Sequence, residues 1–267
     1  MNQPDIRPDP GEIEAALGPS APPFRIEVLA SCPSSNSTLL DRAQAGAPHR
    51  SVLVCHAQTA GRGRRGRSWI AVPGGSLAFS LLWRFEPGSA NPSGLSLAVG
   101  VALVRALESL GATGLTLKWP NDVLHARRKL AGILIELVPG ADRALAAVIG
   151  IGLNLCLPEA VTREAAFEAT DLAAVMAPLP RRASLLANVL LELDAVLSAF
   201  GHLGFACVRD DWLARQAYRD LPVRVTLDQN VLLEGRCIGV DDDGTLLLLT
   251  DRGVERVLAG DVSLRPE

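Results

Sequence analysis

The sequence predicts an α+β chain: a larger unit of intermingled strands and helices, then a small all-β unit. Three observations predict it. Apolar segments of strand length and segments with helical spacing are interspersed from Phe24 to about residue 218. After Pro222 the texture changes to short apolar runs separated by Asp, Asn and Gly. The chain has 267 residues, 48% hydrophobic and 21% charged, enough to bury a sizeable core in one large or two modest domains.

The elements follow in order. Residues 1–23 hold six prolines and read as a mobile tail with one short helix over 12–17. Order is expected from Phe24. Ser34, Ser35 and Asn36 can cap a helix over 38–45 that Gly46 ends. Residues 51–57 form a short apolar strand, and 76–85, rich in Leu, Phe and Trp, a longer one. Ser93 can cap a helix over 94–110, which Gly111 stops. Residues 115–118, 130–138 and 144–153 read as three further strands. The turns between them are Trp119-Pro120-Asn121-Asp122 and Pro139-Gly140-Ala141-Asp142. Helices are expected over 184–200 and 205–217. Beyond a boundary near 218–221, short strands over 223–227, 231–240, 245–250 and 254–258 make a meander or small barrel. Their turns are Asp228-Gln229-Asn230, Asp241-Asp242-Asp243-Gly244 and Asp251-Arg252-Gly253. The chain thus divides into a tail (1–23), a main domain (24–218) and a small C-terminal domain (219–267).

Composition excludes several functions. A net charge of −3 with one Tyr and six Phe does not suit a nucleic-acid coat protein. No run of about 18 uncharged apolar residues predicts a membrane span, and no basic segment followed by an apolar one opens the chain as a signal peptide. Cys32, Cys55, Cys156, Cys207 and Cys237 are odd in number and contain no C-x-x-C pair, which predicts reduced thiols and no zinc site. The 26 basic residues include only two lysines, Lys118 and Lys129, both in one twelve-residue stretch. Ammonium and guanidinium are not equivalent, so this pairing marks either chance survival or a site that needs a compact point charge.

Three stretches carry candidate chemistry. Gly61-Arg62-Gly63-Arg64-Arg65-Gly66-Arg67 lies in a segment, Arg42 to Phe85, with seven arginines and no acid. Glycines allow close backbone approach and arginine forks match carboxylate or phosphate oxygens, so the loop is expected to be floppy when empty and ordered by an anion. It also spells G-x-G-x-x-G. The following Ser68-Trp69-Ile70-Ala71-Val72-Pro73 is no helix, so the dinucleotide fingerprint fails. No Walker-type loop is present. In Lys118-Trp119-Pro120-Asn121-Asp122, Asp122 can help hold Mg²⁺ and Asn121 a ribose or phosphate, or both close an Asx turn. Lys129 enters the next strand at its first residue, and Gly132 permits close approach. In Gly150-Ile151-Gly152-Leu153-Asn154, the glycines mark either a bulge or a ligand against the backbone, and Asn154 needs a partner. The four histidines show no metal spacing.

These residues resemble a known family. Ser34-Ser35-Asn36, the stretch from Gln58 through the arginine loop to Trp69, Lys118–Asp122, Arg128-Lys129-Leu130-Ala131-Gly132 and Gly152-Leu153-Asn154 are similar in order and spacing to biotin–protein ligases. The resemblance runs from Phe24 to the C-terminus. The family usually has Thr where Ser35 stands, which keeps the hydroxyl. It implies a mixed-sheet catalytic domain like that of class II aminoacyl-tRNA synthetases, followed by an SH3-like barrel. It implies a form without the winged-helix DNA-binding domain. The implied activity uses Mg·ATP to convert biotin into biotinyl-5′-AMP, then transfers it to a lysine of a biotin carboxyl carrier domain of acetyl-CoA carboxylase. By resemblance Ser34, Ser35, Asn36, Gln58, Gly61, Arg62, Gly63 and Arg64 contact biotin. Lys129 bridges its carboxylate and the α-phosphate, with Arg64 as second catalytic residue. Arg64, Arg67, Trp69, Asn121, Asp122 and Asn154 contact the nucleotide, and Asp122 the Mg²⁺. The implied enzyme is cytoplasmic, a monomer or homodimer, with no DNA or membrane partner. A lipoate–protein ligase, with the same adenylate logic, is the alternative.

Overall fold

The computed structural model describes residues 7–139, 145–158, 169–226, 232–258 and 263–266. Strands β1 (Arg25–Cys32), β2 (Ser51–Gln58), β3 (Ser76–Arg84), β4 (Leu115–Lys118), β5 (Asp122–His125), β6 (Arg128–Pro139) and β7 (Leu145–Asn154) form one sheet in the order β1-β2-β3-β7-β6-β5-β4. Only β1 and β2 pair in parallel; the other neighbours are antiparallel. A second sheet has the order β11-β10-β9-β8-β12, from β8 (Pro222–Thr226), β9 (Leu232–Val240), β10 (Leu246–Thr250), β11 (Gly253–Val257) and β12 (Ser263–Pro266).

Alternation along the strands decides what each face of the larger sheet does. Phe79, Leu81 and Trp83 on β3, with Ile149 and Ile151 on β7, point to one face. Helices α3 (Leu95–Ser109) and α4 (Arg182–Leu203) cover it, burying Val99, Leu103, Leu107, Leu186, Leu190 and Leu193. Helix α4 is long and apolar enough to cross a membrane by length and composition, yet much of it is buried within this core. The opposite face carries α2 (Ser35–Gln44) over a smaller cluster of Leu39, Ala43, Leu53, Leu82, Val138 and Val148. The smaller sheet shares the main core: Val223, Val225, Cys237 and Leu248 belong to one cluster with Trp119 and Trp212.

Several expectations hold. Ser34 caps α2, its hydroxyl accepting from Ser37 N, and the Asp241–Gly244 turn closes between β9 and β10. Others are corrected. The short helix expected over 12–17 is present as α1 (Pro10–Leu17), capped by Asp9, but it is not part of a loose tail: Ile13, fully buried, packs into the core. Its partner α4 lies more than 160 residues ahead in sequence, beyond the reach of local reasoning. Strands β1 and β5 are additional to the expected elements: β1 is half-exposed with polar residues spaced along it, and β5 lies within turn-like chemistry, so no apolar run marks either. Ser93 does not cap α3; Gly94 does, in a left-handed conformation, while Ser93 Oγ donates to Asp243 O at 2.7 Å. The helix expected over 205–217 is a 3₁₀ turn (Gly204–Cys207) followed by the short α5 (Arg209–Ala214). The expectation of reduced thiols is corrected for one pair: Cys32 and Cys55, on the neighbouring strands β1 and β2, form a disulfide, while Cys156, Cys207 and Cys237 are free. The turns expected at 140–142 and 228–230 lie outside the described residues, as do the strand ends expected at 144, 227 and 231.

Candidate active site

On the α2 face the sheet changes character along its strands. Leu82, Val138 and Val148 fill one end, whereas Ser80 and Ala78 on β3, Gly132 on β6, and Gly150 and Gly152 on β7 occupy the other. Register aligns Gly152 with Ala78 on one side and Gly132 on the other, so small side chains run in a row across three strands, with Asp122 next in line on β5. The missing bulk leaves a cavity of about 450 Å³, within the roughly 300–1,000 Å³ common for small-molecule sites.

One end of the cavity is polar and uncharged. The N-terminus of α2 places Ser34, Ser35 and Asn36 there, each almost fully buried, and Ser35 N donates to Gln58 Oε1 at 2.7 Å. Gly150 is needed for this: a Cβ there would stand 2.6 Å from Asn36 Oδ1.

The other end is charged. Lys118, the last residue of β4, and Lys129, near the start of β6, flank Asp122. Lys129 Nζ lies 2.5 Å from Asp122 Oδ1, and Lys118 Nζ lies 3.9 Å from Oδ2. The Trp119–Pro120 peptide in the preceding turn is cis, and Trp119 Nε1 donates to Gly244 O at 3.0 Å. The two lysines of the chain therefore flank one carboxylate.

The arginine loop roofs the cavity. Trp69 N donates to Gly61 O at 2.9 Å and Gly63 N to Arg67 O at 2.7 Å, making a tight hairpin around a 3₁₀ turn at Arg64–Gly66. A protein carboxylate supplies the anion: the Arg62 fork grips Glu136, Nη1 to Oε2 at 3.0 Å and Nη2 to Oε1 at 2.8 Å. Arg62 Nη1 also donates to Ser37 Oγ at 3.0 Å, so Arg62 straps α2 to β6. Arg64 Nη1 lies 3.3 Å from Asn121 Oδ1, and Asn121 Nδ2 donates to Ile133 O at 2.7 Å.

The structure brings nearly all the sequence-selected residues to one cavity. Ser34, Ser35, Asn36, Gln58, Arg62, Gly63, Arg64, Arg67, Trp69, Asn121, Asp122, Lys129 and Asn154 line it. Gly61 does not; its carbonyl anchors Trp69 instead. Asn154 spends its amide nitrogen on backbone, Nδ2 lying 3.0 Å from Thr170 O and 3.4 Å from Lys129 O. The close approach expected at Gly152 is made by the protein itself. A Cβ there would stand 2.2 Å from Trp69 Cε2, so the indole lies on the strand, with its buried Nε1 lacking a partner among the described residues. Lys129 Nζ sits 5.8 Å from the centre of that ring.

Sequence reasoning missed Glu136 and Ser80. Both are polar residues in apolar strand runs, the signal that singled out Asn154, and both face α2.

Comparison with known proteins agrees with this geometry. Residues 28–154 match the family described as biotin/lipoate A/B protein ligase, and residues 222–265 match the biotin protein ligase C-terminal domain. The chain is 35% identical over 245 residues to the bifunctional ligase/repressor BirA of Salmonella typhimurium, covering 90% of this chain and 74% of that one. It is 34% identical over 247 residues to the biotin–acetyl-CoA-carboxylase ligase of Paracoccus denitrificans, covering 88% and 98%. The solved biotin protein ligase of Aquifex aeolicus in complex with biotin and ATP superposes with a TM-score of 0.76 at 27% identity, covering 91% and 99%.

Proposed function

The chain belongs to the biotin/lipoate A/B protein ligase family, and from that premise we propose how its cavity performs a two-step biotinylation. The protein is an ATP-dependent ligase that activates biotin and transfers it to a carboxylase. In the first step the biotin carboxylate oxygen attacks the α-phosphorus of ATP. A P–O bond forms, the bond to pyrophosphate breaks, and biotinyl-5′-AMP remains. In the second, the neutral amine of a carrier lysine attacks the acyl carbon; an amide forms, AMP leaves with the bonding pair, and the amine loses a proton.

The observation that carries the reading is the polarity of this cavity. Its uncharged end, Ser34, Ser35, Asn36 and Gln58, suits a head group rich in N–H and C=O. Its far end, Lys129 beside Asp122, suits a carboxylate meeting a phosphate. Glycines and Trp69 shape the slot between. A lipoyl dithiolane has no hydrogen-bonding atoms comparable to a ureido ring, so the polar end favours biotin over lipoate.

Lys129 offsets charge on the carboxylate and the α-phosphate as the P–O bond forms. Arg64 and Arg67 close over the adenylate and retain it. Arg62 acts as a strap, since its fork is engaged by Glu136. Asn121 orients Arg64, and Asn154 holds the 169–171 segment against the start of β6 while lining the nucleotide end. Trp69 offers its indole face and Nε1–H to the activated ligand.

Magnesium fits one residue. Among the described residues no group of three His, Cys, Asp or Glu side chains converges, so Asp122 would hold the ion together with phosphate oxygens, as Mg²⁺ is commonly held. Bound there, it would neutralise triphosphate charge.

The larger unit, 24–218, is read as a catalytic domain of the class II aminoacyl-tRNA synthetase type, supported by a mixed sheet with helices on both faces. The unit 219–267 is read as an SH3-like barrel, supported by four short strands in meander order, β8 to β11, with β12 returning beside β8. ATP as co-substrate supports a cytoplasmic reaction, with the carrier domain as protein partner.

The test is transfer of labelled biotin to a carrier domain with and without ATP, with lipoate as competitor. A single ATP-dependent adduct by mass spectrometry that excess lipoate does not suppress is expected. No adduct, or preferential lipoylation, refutes the reading.

A further inference from the structure

The uncharged end of the cavity contains a hydrogen-bond chain whose direction is fixed from outside the cavity. Glu136 does not line it, and an ionised carboxylate only accepts. Its Oε2 lies 2.6 Å from Asn36 Nδ2, so the Asn36 amide turns its nitrogen to Glu136. The amide oxygen then faces Ser80 Oγ at 3.1 Å. That oxygen also only accepts, so the one hydroxyl hydrogen of Ser80 goes to it. Ser80 Oγ lies 2.9 Å from Ser35 Oγ as well. With its own hydrogen committed, Ser80 takes the hydrogen of Ser35. Ser35 is left with lone pairs for the cavity it lines.

We propose that Glu136 and Ser80 are positioning residues that fix Ser35 as a hydrogen-bond acceptor, so that the pocket selects a head group presenting an N–H there, such as a cyclic urea. Neither touches the ligand; each acts through Asn36 and Ser35. Ser80 is fully buried, which shields the chain from competing water. The second grip of Glu136, on Arg62, holds its carboxylate in place, so the strap and the head-group selection share one anchor. This rests on the biotin reading above and adds the direction of each hydrogen bond.

The experiment pairs variants with ligands. Binding of biotin is compared with that of its two cyclic-carbamate analogues, each with one ureido N–H replaced by a ring oxygen. In the wild type, the analogue that sets oxygen against Ser35 should bind roughly ten- to a hundredfold more weakly, because two acceptors then face each other in a buried site. Ser80→Ala frees the Ser35 hydrogen to turn toward that oxygen, and the gap should close to about threefold. Glu136→Gln lets the Asn36 amide turn over and should narrow the gap likewise, and it carries the test if Ser80→Ala does not fold. The KM for ATP in pyrophosphate release should stay at the wild-type value in Ser80→Ala, which leaves the Arg62–Glu136 strap intact. A gap unchanged in the variants, with both ligands weakened equally, overturns the proposal and leaves the biotin reading intact. So does a wild type that binds biotin and both analogues alike. A wild type that binds no biotin overturns the biotin reading instead.

Discussion

Replacing Lys129 with Met separates charge from fold in the proposed adenylation site. The ammonium is about a quarter exposed, 2.5 Å from Asp122 Oδ1, and its stem packs beside Gly132 and Trp69. Methionine keeps the stem and removes the charge. Asp122 does not become an orphan, because Lys118 Nζ remains 3.9 Å from its other oxygen. The stability loss should therefore stay near about 1–2 kcal/mol, below the roughly 3–5 kcal/mol of a buried pair broken without replacement. Catalysis should suffer far more. Loss of one charge contact made in the transition state costs on the order of 10²–10³ in rate, or about 2.7–4 kcal/mol. The assay is biotin- and ATP-dependent pyrophosphate release without carrier, read beside thermal unfolding. Lys129→Arg refines it: a planar fork replaces the compact point charge beside Asp122 and should fail nearly as badly. Pyrophosphate release within about threefold of wild type in Lys129→Met would remove Lys129 from the chemistry.

Three further outcomes are expected. Gly152→Ala drives a methyl into Trp69 and should lower kcat/KM for biotin at least about tenfold while shifting intrinsic fluorescence; unchanged kinetics would mean that the indole does not shape the slot. Ile13→Ala should cost about 2–5 kcal/mol in urea unfolding, since Ile13 is fully buried, whereas no loss would show residues 10–17 to be detached from the core. Burial pushes the Asp211 carboxyl up, but hydrogen bonds and charges from Arg105 and Arg215 outweigh it and hold the folded value below the ordinary one. Its contribution is therefore full above the unfolded value, near about pH 4, and is lost as pH falls through the folded value. Asp211→Asn should thus melt lower at pH 7 and show a flatter acid limb, and limbs parallel to wild type would contradict the assignment.

The sequence by itself determined whatever is written in neighbouring residues. Short apolar runs placed β2, β3, β6 and β7, Ser34 announced the start of α2, and Asp/Gly turns marked the small sheet. It also marked part of the cavity lining, because a Gly-rich arginine loop, a lysine-flanked Asp and a polar Asn in an apolar strand are local signals, whereas Ser34, Ser35, Asn36, Gln58 and Trp69 came from the family resemblance. Tertiary structure decided what depends on contacts between distant segments. Arg62 and Glu136 lie 74 residues apart and Asn36 and Glu136 lie 100 apart, so no spacing rule joins them. Their meeting turned an arginine expected to await an anion into a strap already holding one. The same holds for Ile13 against α4, for Cys32 against Cys55, and for Gly150 and Gly152, which make room for Asn36 and Trp69. The physical reason is common to all of them. Backbone preference and hydrophobic period are set within a few residues, whereas a hydrogen bond, a disulfide or a filled space exists only when strand order and register bring both partners within a few ångströms.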